Sequence, residues 1–294
     1  MGGLEIDVKQ ELRRHQSVGV EHEYKKTVRS INELGAADLI VAADGANSSI
    51  RRGFERAFGT SVTQLNNRFI WFGTKQRFET LTQTFKQVPG NFNAHHYRYS
   101  AEMSTFIVET DERTFEHFGL DKLDETASAA FCEQIFAGEL KGNPLLTNKS
   151  MWRRFLQIRN ERWSVGNVVL VGDALRTAHF SIGSGTRLAM EDVIILDKML
   201  MAYPKDVHSA LAAYEAVRRP VVEKLVAAAD ASADWYESFG EHMKLEPYEF
   251  AMQYLIRSGR IASDRLRSVS PQFMAAYERN RVMTEIDGPN PNPL

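Results

Sequence analysis

Hydrophobic positions along this chain change their period several times. ADLIVAAD (37–44) is a short apolar run ending in Asp-Gly, the pattern of a strand buried in a parallel sheet. NSSIRRGFERAF (47–58) switches to helical spacing, with Asn47 or Ser48 placed to cap its start. Between Arg68 and Glu109 the segments RFIWFGT, TLTQTFKQV, NFNAHHYRYS and MSTFIVET are aromatic and β-branched, separated by Pro-Gly or polar turns. They predict an antiparallel meander. Residues 111–140 return to helix, NVVLVGD (167–173) is a second buried strand, and Gly185 to Met201 a helix broken by Pro204. The region 206–239 is helical, with Pro220 where a new helix begins, and 247–283 is more weakly so. Residues 4–30 read as a charged helix followed by a polar strand, and the tail DGPNPNPL as a frayed end.

That order predicts an α/β fold: a parallel sheet, interrupted by an inserted antiparallel sheet, then resumed and followed by C-terminal helices. The expected segments are 1–62 and 161–203 for the parallel-sheet domain, 63–160 for the insertion and 204–294 for the helical region.

With 36 basic and 38 acidic side chains in 294 residues, nothing marks a phosphate-backbone binder, and no nucleic-acid partner is expected. Cys132 is the only cysteine, which excludes an internal disulfide and a thiolate metal cluster. His95, His96 and His179 lack acidic partners at ligand spacing, so no metal is expected. No apolar run approaches the ~18 residues of a membrane span, and MGGLEIDVKQELRRHQ lacks the apolar core of a signal peptide. A cytoplasmic protein is the expectation; oligomeric state leaves no mark in the sequence.

Two stretches suggest chemistry. In VVLVGDALRTAHFSIGSGTRLAMED (168–192), Gly172-Asp173 closes a strand and Gly183-Ser184-Gly185-Thr186 opens a helix. Bare glycines let a flat ligand approach backbone, and a helix start offers N–H groups and a positive dipole end. Asp173 can accept hydrogen bonds from ligand hydroxyls. A tight turn capped by an aspartate explains the same residues. In VAADGANSSIRR (41–52), Asp44-Gly45 closes a strand, Ser48 opens a helix and Arg51 lies one turn in, which is also the pattern of a plain strand–turn–helix with an Asx turn.

Together, D-G-x-x-S-x-x-R (44–51), G-D-A (172–174), G-x-G (183–185), E-D (191–192) and YEAVRRP (214–220) resemble the FAD-dependent aromatic hydroxylases of the p-hydroxybenzoate hydroxylase fold. NRFIWFGT, the H-x-Y of HHYRY, MSTFIVET and EFAMQYLIRSGRI (249–261) resemble the branch with salicylyl-CoA and anthraniloyl-CoA hydroxylases, near the violacein-pathway tryptophan hydroxylase. The resemblance implies an FAD monooxygenase using NAD(P)H and O₂ to hydroxylate an aromatic small molecule, with an aryl-CoA thioester such as salicylyl-CoA or anthraniloyl-CoA as the expected substrate and a tryptophan-type hydroxylase as the alternative. It implies that Asp173 binds the ribityl chain and that residues 183–186 lie against the flavin ring. The Asp44–Arg51 element would lie beside the pyrophosphate, with the antiparallel sheet roofing the substrate. His95, Tyr97 and His179 are the candidates for substrate orientation or proton handling, and Arg257, Arg260 and Arg265 for the nucleotide phosphates.

Arg176 replaces the histidine of many members, and His179-Phe180 replaces Pro-Pro. No G-x-G-x-x-G occurs in the chain, so the expectation is that it begins after the unit that binds the ADP half of FAD, and binds FAD poorly alone. Two other readings fit that expectation: a flavin reductase that never uses oxygen, and a non-catalytic binding module.

Overall fold

The computed structural model describes residues 19–287, and the chain divides into two units, 1–37 and 38–294. In the first unit the expected N-terminal helix lies largely outside the described residues. The expected polar strand does not form: residues 19–30 contain no strand and none is buried, so no apolar face exists there to stabilise one. A single 3₁₀ turn, Ile31–Leu34, is capped by Ser30.

The second unit holds two sheets. In the smaller, β1 (Ile40–Ala42) runs parallel to a strand far along the chain, Val168–Leu170, with Ile40 opposite Val168 and Ala42 opposite Leu170. Both apolar runs end where glycine appears, at Gly45 and Gly172, each with positive φ. After β1 comes α1 (Ser49–Gly53), capped by the Ser48 hydroxyl, which accepts the Arg51 N–H at 2.9 Å.

The larger sheet runs from Thr60 to Asn160. Its strands are β2 (Thr60–Thr74), β3 (Thr82–Gln87), β4 (Asn91–Arg98), β5 (Ser104–Thr110), β6 (Leu145–Leu146) and β7 (Arg153–Asn160). The antiparallel pairing is as the sequence predicts, but the order is not a simple meander. β3, β4 and β5 follow one another through tight turns, whereas β2 lies beside β5, and β7 pairs with β2. Short turns fix hairpin neighbours locally; the place of β2 is a long-range choice that its own residues do not encode.

Alternation sorts this sheet into two faces. Ile70, Phe72, Phe92, Ala94, His96, Phe106 and Val108 pack against Phe115, Leu120 and helix α2 (Glu125–Ile135), which contributes Ala129 and Cys132. The other face, with Phe69, Trp71, His95, Tyr97 and Ile107, turns toward the first sheet.

Beyond β8 (Ser164–Val165) and β9 (Val168–Leu170) lie α3 (Gly185–Ala202) and α4 (Val207–Glu237). Pro220 does not start a helix: α4 is continuous from its Asp206 cap, and Pro220 is inside it. Pro220 and Ala216 are both exposed, so water reaches the carbonyl that loses its helical donor. Leu211, Tyr214, Arg218, Val222, Val226, Ala229, Ala233 and Tyr236 form its buried stripe. The last helices are α5 (Pro247–Ile256), α6 (Ser263–Val269) and α7 (Pro271–Asp287). No described helix is long and apolar enough to cross a membrane.

Candidate functional site

A cavity of ≈1090 Å³ separates the two sheets, just above the range of about 300–1,000 Å³ usual for small-ligand pockets. Gly45, His95, Tyr97, Gly172, Asp173, Gly183, Gly185 and Thr186 all line it, from four separate stretches of chain. Phe69, Trp71, Ile107, Phe155 and Phe180 supply apolar wall.

The glycine turn forms one side. Gly172, at φ +57°, turns the chain out of β9, and a Cβ there would lie 3.1 Å from Ala189 Cβ of α3, so the strand–helix packing also requires glycine. Gly183, at φ +61°, and Gly185 differ: no atom lies within 4 Å of the Cβ either would carry. Their bare faces meet open cavity. Ser184 precedes α3 without capping it, and its buried hydroxyl has no partner among the described residues. The start of an 18-residue helix therefore presents free N–H groups and a positive dipole end beside an open flat surface.

Asp173 is open to this cavity and accepts no hydrogen bond among the described residues. The surrounding protein pushes its carboxyl above the ordinary range, opposed by the Arg176 guanidinium. Asp44, Ser48, Arg51, Ser184 and His179 are not on the cavity wall. The Asp44 carboxylate accepts the Ser49 N–H at 2.8 Å, the Ser49 hydroxyl at 3.2 Å and the Ile50 N–H at 3.4 Å. Partial burial pushes that carboxyl up, but hydrogen bonds at the helix start prevail and hold it below the ordinary value. Arg51 is buried and donates to the carbonyls of Ala174 (2.9 Å) and Ala46 (2.6 Å), tying the two strand–turn–helix elements together.

Behind the glycine turn lies a network whose members the sequence pattern contained without revealing their roles. Asp192, 0% exposed, accepts the Gly172 N–H at 3.1 Å, Arg176 through both oxygens (2.6 and 2.9 Å) and Arg218 Nε at 3.0 Å. Arg218 also reaches Glu191 at 2.7 Å. The E-D and R-R-P motifs thus fix the turn from behind. Arg176, unusual for the resembled family, is half of a buried bidentate pair.

On the opposite wall, His95 and Tyr97 project from β4 side by side, ring centroids 5.7 Å apart. Burial, with His96 and Arg257 nearby, lowers the His95 pKa to about 4, so its imidazole is neutral at pH 7. His179 is 2% exposed, and burial lowers it to about 3. Its Nδ1 is 2.9 Å from Ser181 Oγ, which is 2.8 Å from Ser232 Oγ, which accepts Arg257 Nε at 3.0 Å. Arg257 continues to the Ser181 carbonyl at 3.1 Å and lies over the Tyr254 ring at 4.0 Å. His179 and Arg257 therefore brace the turn from outside the cavity, and Arg257 is not available to a ligand phosphate.

A second group escaped sequence reasoning. Between Gln64 and Arg68 the β2–β7 register shifts, and the N–H groups of Asn66 and Asn67 turn to the Glu237 carboxylate at 2.7 and 2.9 Å. The Asn67 amide donates to Glu109 (2.9 Å) and to the Tyr236 carbonyl (2.7 Å), while Asn93 donates to Glu109 at 3.4 Å. Glu109 is buried, and desolvation raises its pKa to about 7. Only the bulge and the β4–β5 register bring these residues together. Among the described residues no His, Cys, Asp and Glu cluster could hold a metal.

Similarity to known proteins follows the same lines. The chain is 40% identical over 256 residues to salicyloyl-CoA 5-hydroxylase of a Streptomyces species, covering 83% of this chain and 50% of that protein. It is 44% identical over 204 residues to 3-hydroxy-4-methyl-anthranilyl-[aryl-carrier protein] 5-monooxygenase of Streptosporangium sibiricum, covering 69% and 54% respectively. The chain thus spans about half the length of these relatives. Its fold is shared with 2-methyl-3-hydroxypyridine-5-carboxylic acid oxygenase, with a TM-score of 0.62 at 16% identity, over 87% of this chain and 68% of that one. A family model described as FAD binding domain matches residues 1–229, and the chain belongs to that family of FAD binding domains.

Proposed function

We propose that this chain carries the flavin-ring side and the substrate roof of an FAD-dependent monooxygenase that hydroxylates an aromatic ring held as a thioester. The observation that carries the reading is the pair Gly183 and Gly185, bare toward the cavity beside the uncapped helix start and the unpartnered Ser184 hydroxyl. These residues fit a flat, electron-rich ring system. The chemistry that FAD supplies when bound, with NAD(P)H as reductant, is activation of O₂ for transfer of one oxygen atom. The thioester is suggested by the two relatives, one a salicyloyl-CoA hydroxylase and the other a monooxygenase of an anthranilyl group on an aryl-carrier protein.

The chain's own residues divide the remaining work. The α3 N-terminus opposes negative charge on the ring edge it faces. Asp173 accepts hydroxyl donors of the ribityl chain. Phe69, Trp71, Ile107 and Phe155 exclude water from the reacting ring. His95, neutral and too weakly basic to hold a proton near neutral pH, orients the substrate together with Tyr97. His179 positions the turn through Ser181 and touches no substrate.

Gly185→Ala tests the cradle. The new methyl meets no protein atom within 4 Å, and Ala in place of Gly at a helix start should leave stability unchanged or raise it by about 0.5–1 kcal/mol. Flavin binding, followed by fluorescence titration with both FAD and riboflavin, should weaken at least tenfold. Asp173→Ala should cost about 1–3 kcal/mol in the same titration. Unchanged affinity in both variants would remove the flavin from this wall.

A further inference from the structure

A second depression of ≈750 Å³ adjoins the cavity, and Phe69, Trp71 and Tyr97 line both. Its other walls are Gly73, Tyr99, Met103, the loop 146–151 and Arg153 of β7, which lies opposite Phe69 in the β2–β7 register. From these facts we propose that this groove binds the phosphopantetheine arm of the aryl thioester, with Lys149 and Arg153 meeting its phosphate. The proposal rests on the aryl-thioester reading above.

Elimination gives the direction of exit. A ring seated in the cavity has the glycine turn and Asp173 on one side, which the flavin reading fills. Toward α4 and α5 the way is shut by Ser181, Ser232 and Arg257, and by Phe85 packed among Trp235, Phe239 and Phe250. The side past Trp71 and Tyr97 leads into the groove. Trp71 is 47% exposed and Tyr99 61%, aromatic surface suited to a chain of methylenes and amides.

The charge lining the groove is one-sided. No acidic residue lines the groove, and neither Lys149 nor Arg153 pairs with a carboxylate among the described residues. Arg98, on the cavity side of the same wall, adds a third cation. Lys149 sits at φ +55°, a left-handed conformation uncommon for lysine that persists where neighbours over-determine it. They do so here: Ser150 Oγ donates to the Trp71 carbonyl at 2.6 Å and accepts the Asn148 N–H at 3.1 Å. The loop is pinned to β2, and its lysine is held beside the groove.

The test is a binding series on the chain with salicylate, salicyloyl-pantetheine, salicyloyl-4′-phosphopantetheine and salicyloyl-CoA, followed by calorimetry. The phosphorylated thioesters should bind more tightly than salicyloyl-pantetheine, with an advantage that shrinks as salt rises. Lys149→Glu and Arg153→Glu should each weaken them about tenfold and leave salicyloyl-pantetheine unchanged. Both side chains are exposed, and Lys149→Gln and Arg153→Gln provide milder versions. Tighter binding of salicyloyl-CoA than of the phosphopantetheine thioester supports the groove with free CoA as the source, and equal binding supports it with a carrier-bound arm. A preference for thioester over salicylate that none of the four variants alters overturns the groove and leaves the aryl-thioester reading standing. Equal affinity for salicylate and every thioester overturns both.

Discussion

Glu109 and two buried histidines pull stability in opposite directions with pH. Burial raises the Glu109 carboxyl to about 7 from an ordinary value of 4.5, so its contribution is fully present below pH 4.5 and is lost as pH rises through 7. His95 and His179, lowered to about 4 and about 3, act conversely: their contribution is complete above 6.5 and drains away as pH falls. Glu109→Gln keeps an oxygen to accept the Asn67 and Asn93 amides but removes the ionisation. Its stability relative to the parent, from denaturant melts, should therefore be more favourable at pH 8 than at pH 4.5, by roughly 3 kcal/mol at most. A difference independent of pH would show that Glu109 is not held neutral. At this scale the sequence was legible where spacing alone decides: His95 and Tyr97, two apart on a strand, had to share a face. Glu109 and Asn67 were not legible, because a bulge and a cross-strand register make them neighbours. Asp44 and Arg51 were recognisable as residue types, but their partners proved to be the helix start and two carbonyls.

Helix α4 shows how one element can be misread and still be encoded. A proline inside a helical stretch is the same letter whether it opens a helix or interrupts one. What settles it is the unbroken three- and four-residue spacing of buried positions from Leu211 to Tyr236, running across Pro220. Replacing Pro220 with alanine restores a donor to the Ala216 carbonyl and should stabilise the protein by about 1–2 kcal/mol, short of the full ~3 kcal/mol of an interior proline because water already serves that exposed carbonyl. Thermal denaturation reads this directly, and a destabilised variant would mean that α4 needs the bend. For β1 and β9 the sequence predicted parallel strands ending at glycines, which formed. Of the four segments of the predicted meander, β2 alone left the sequential order, because its partners β5, β6 and β7 are not joined to it by short turns.

On the scale of the whole second unit, α4 is what joins the architectures. Along one helix, Arg218 reaches the network behind the glycine turn, Asp230 takes Arg159 of β7 through both oxygens, and Glu237 takes the β2 bulge. Ser232 meets Ser181 and Arg257 in between. The two sheets thereby hold a fixed separation, and the cavity is the space left between them. Sequence alone predicted both sheets and their order but not this helix as their common support, since each contact joins residues far apart in the chain. The position of Trp71, shared by cavity and groove, has an optical consequence. Trp163 and Trp235 are buried, whereas Trp71 has half its indole open to whatever occupies either compartment. Its emission should report the two events differently: energy transfer to a flavin would quench it, while a colourless arm in the groove would shift its wavelength to the blue. Trp71→Phe should abolish the blue shift, which makes the molecule its own indicator of which compartment is filled.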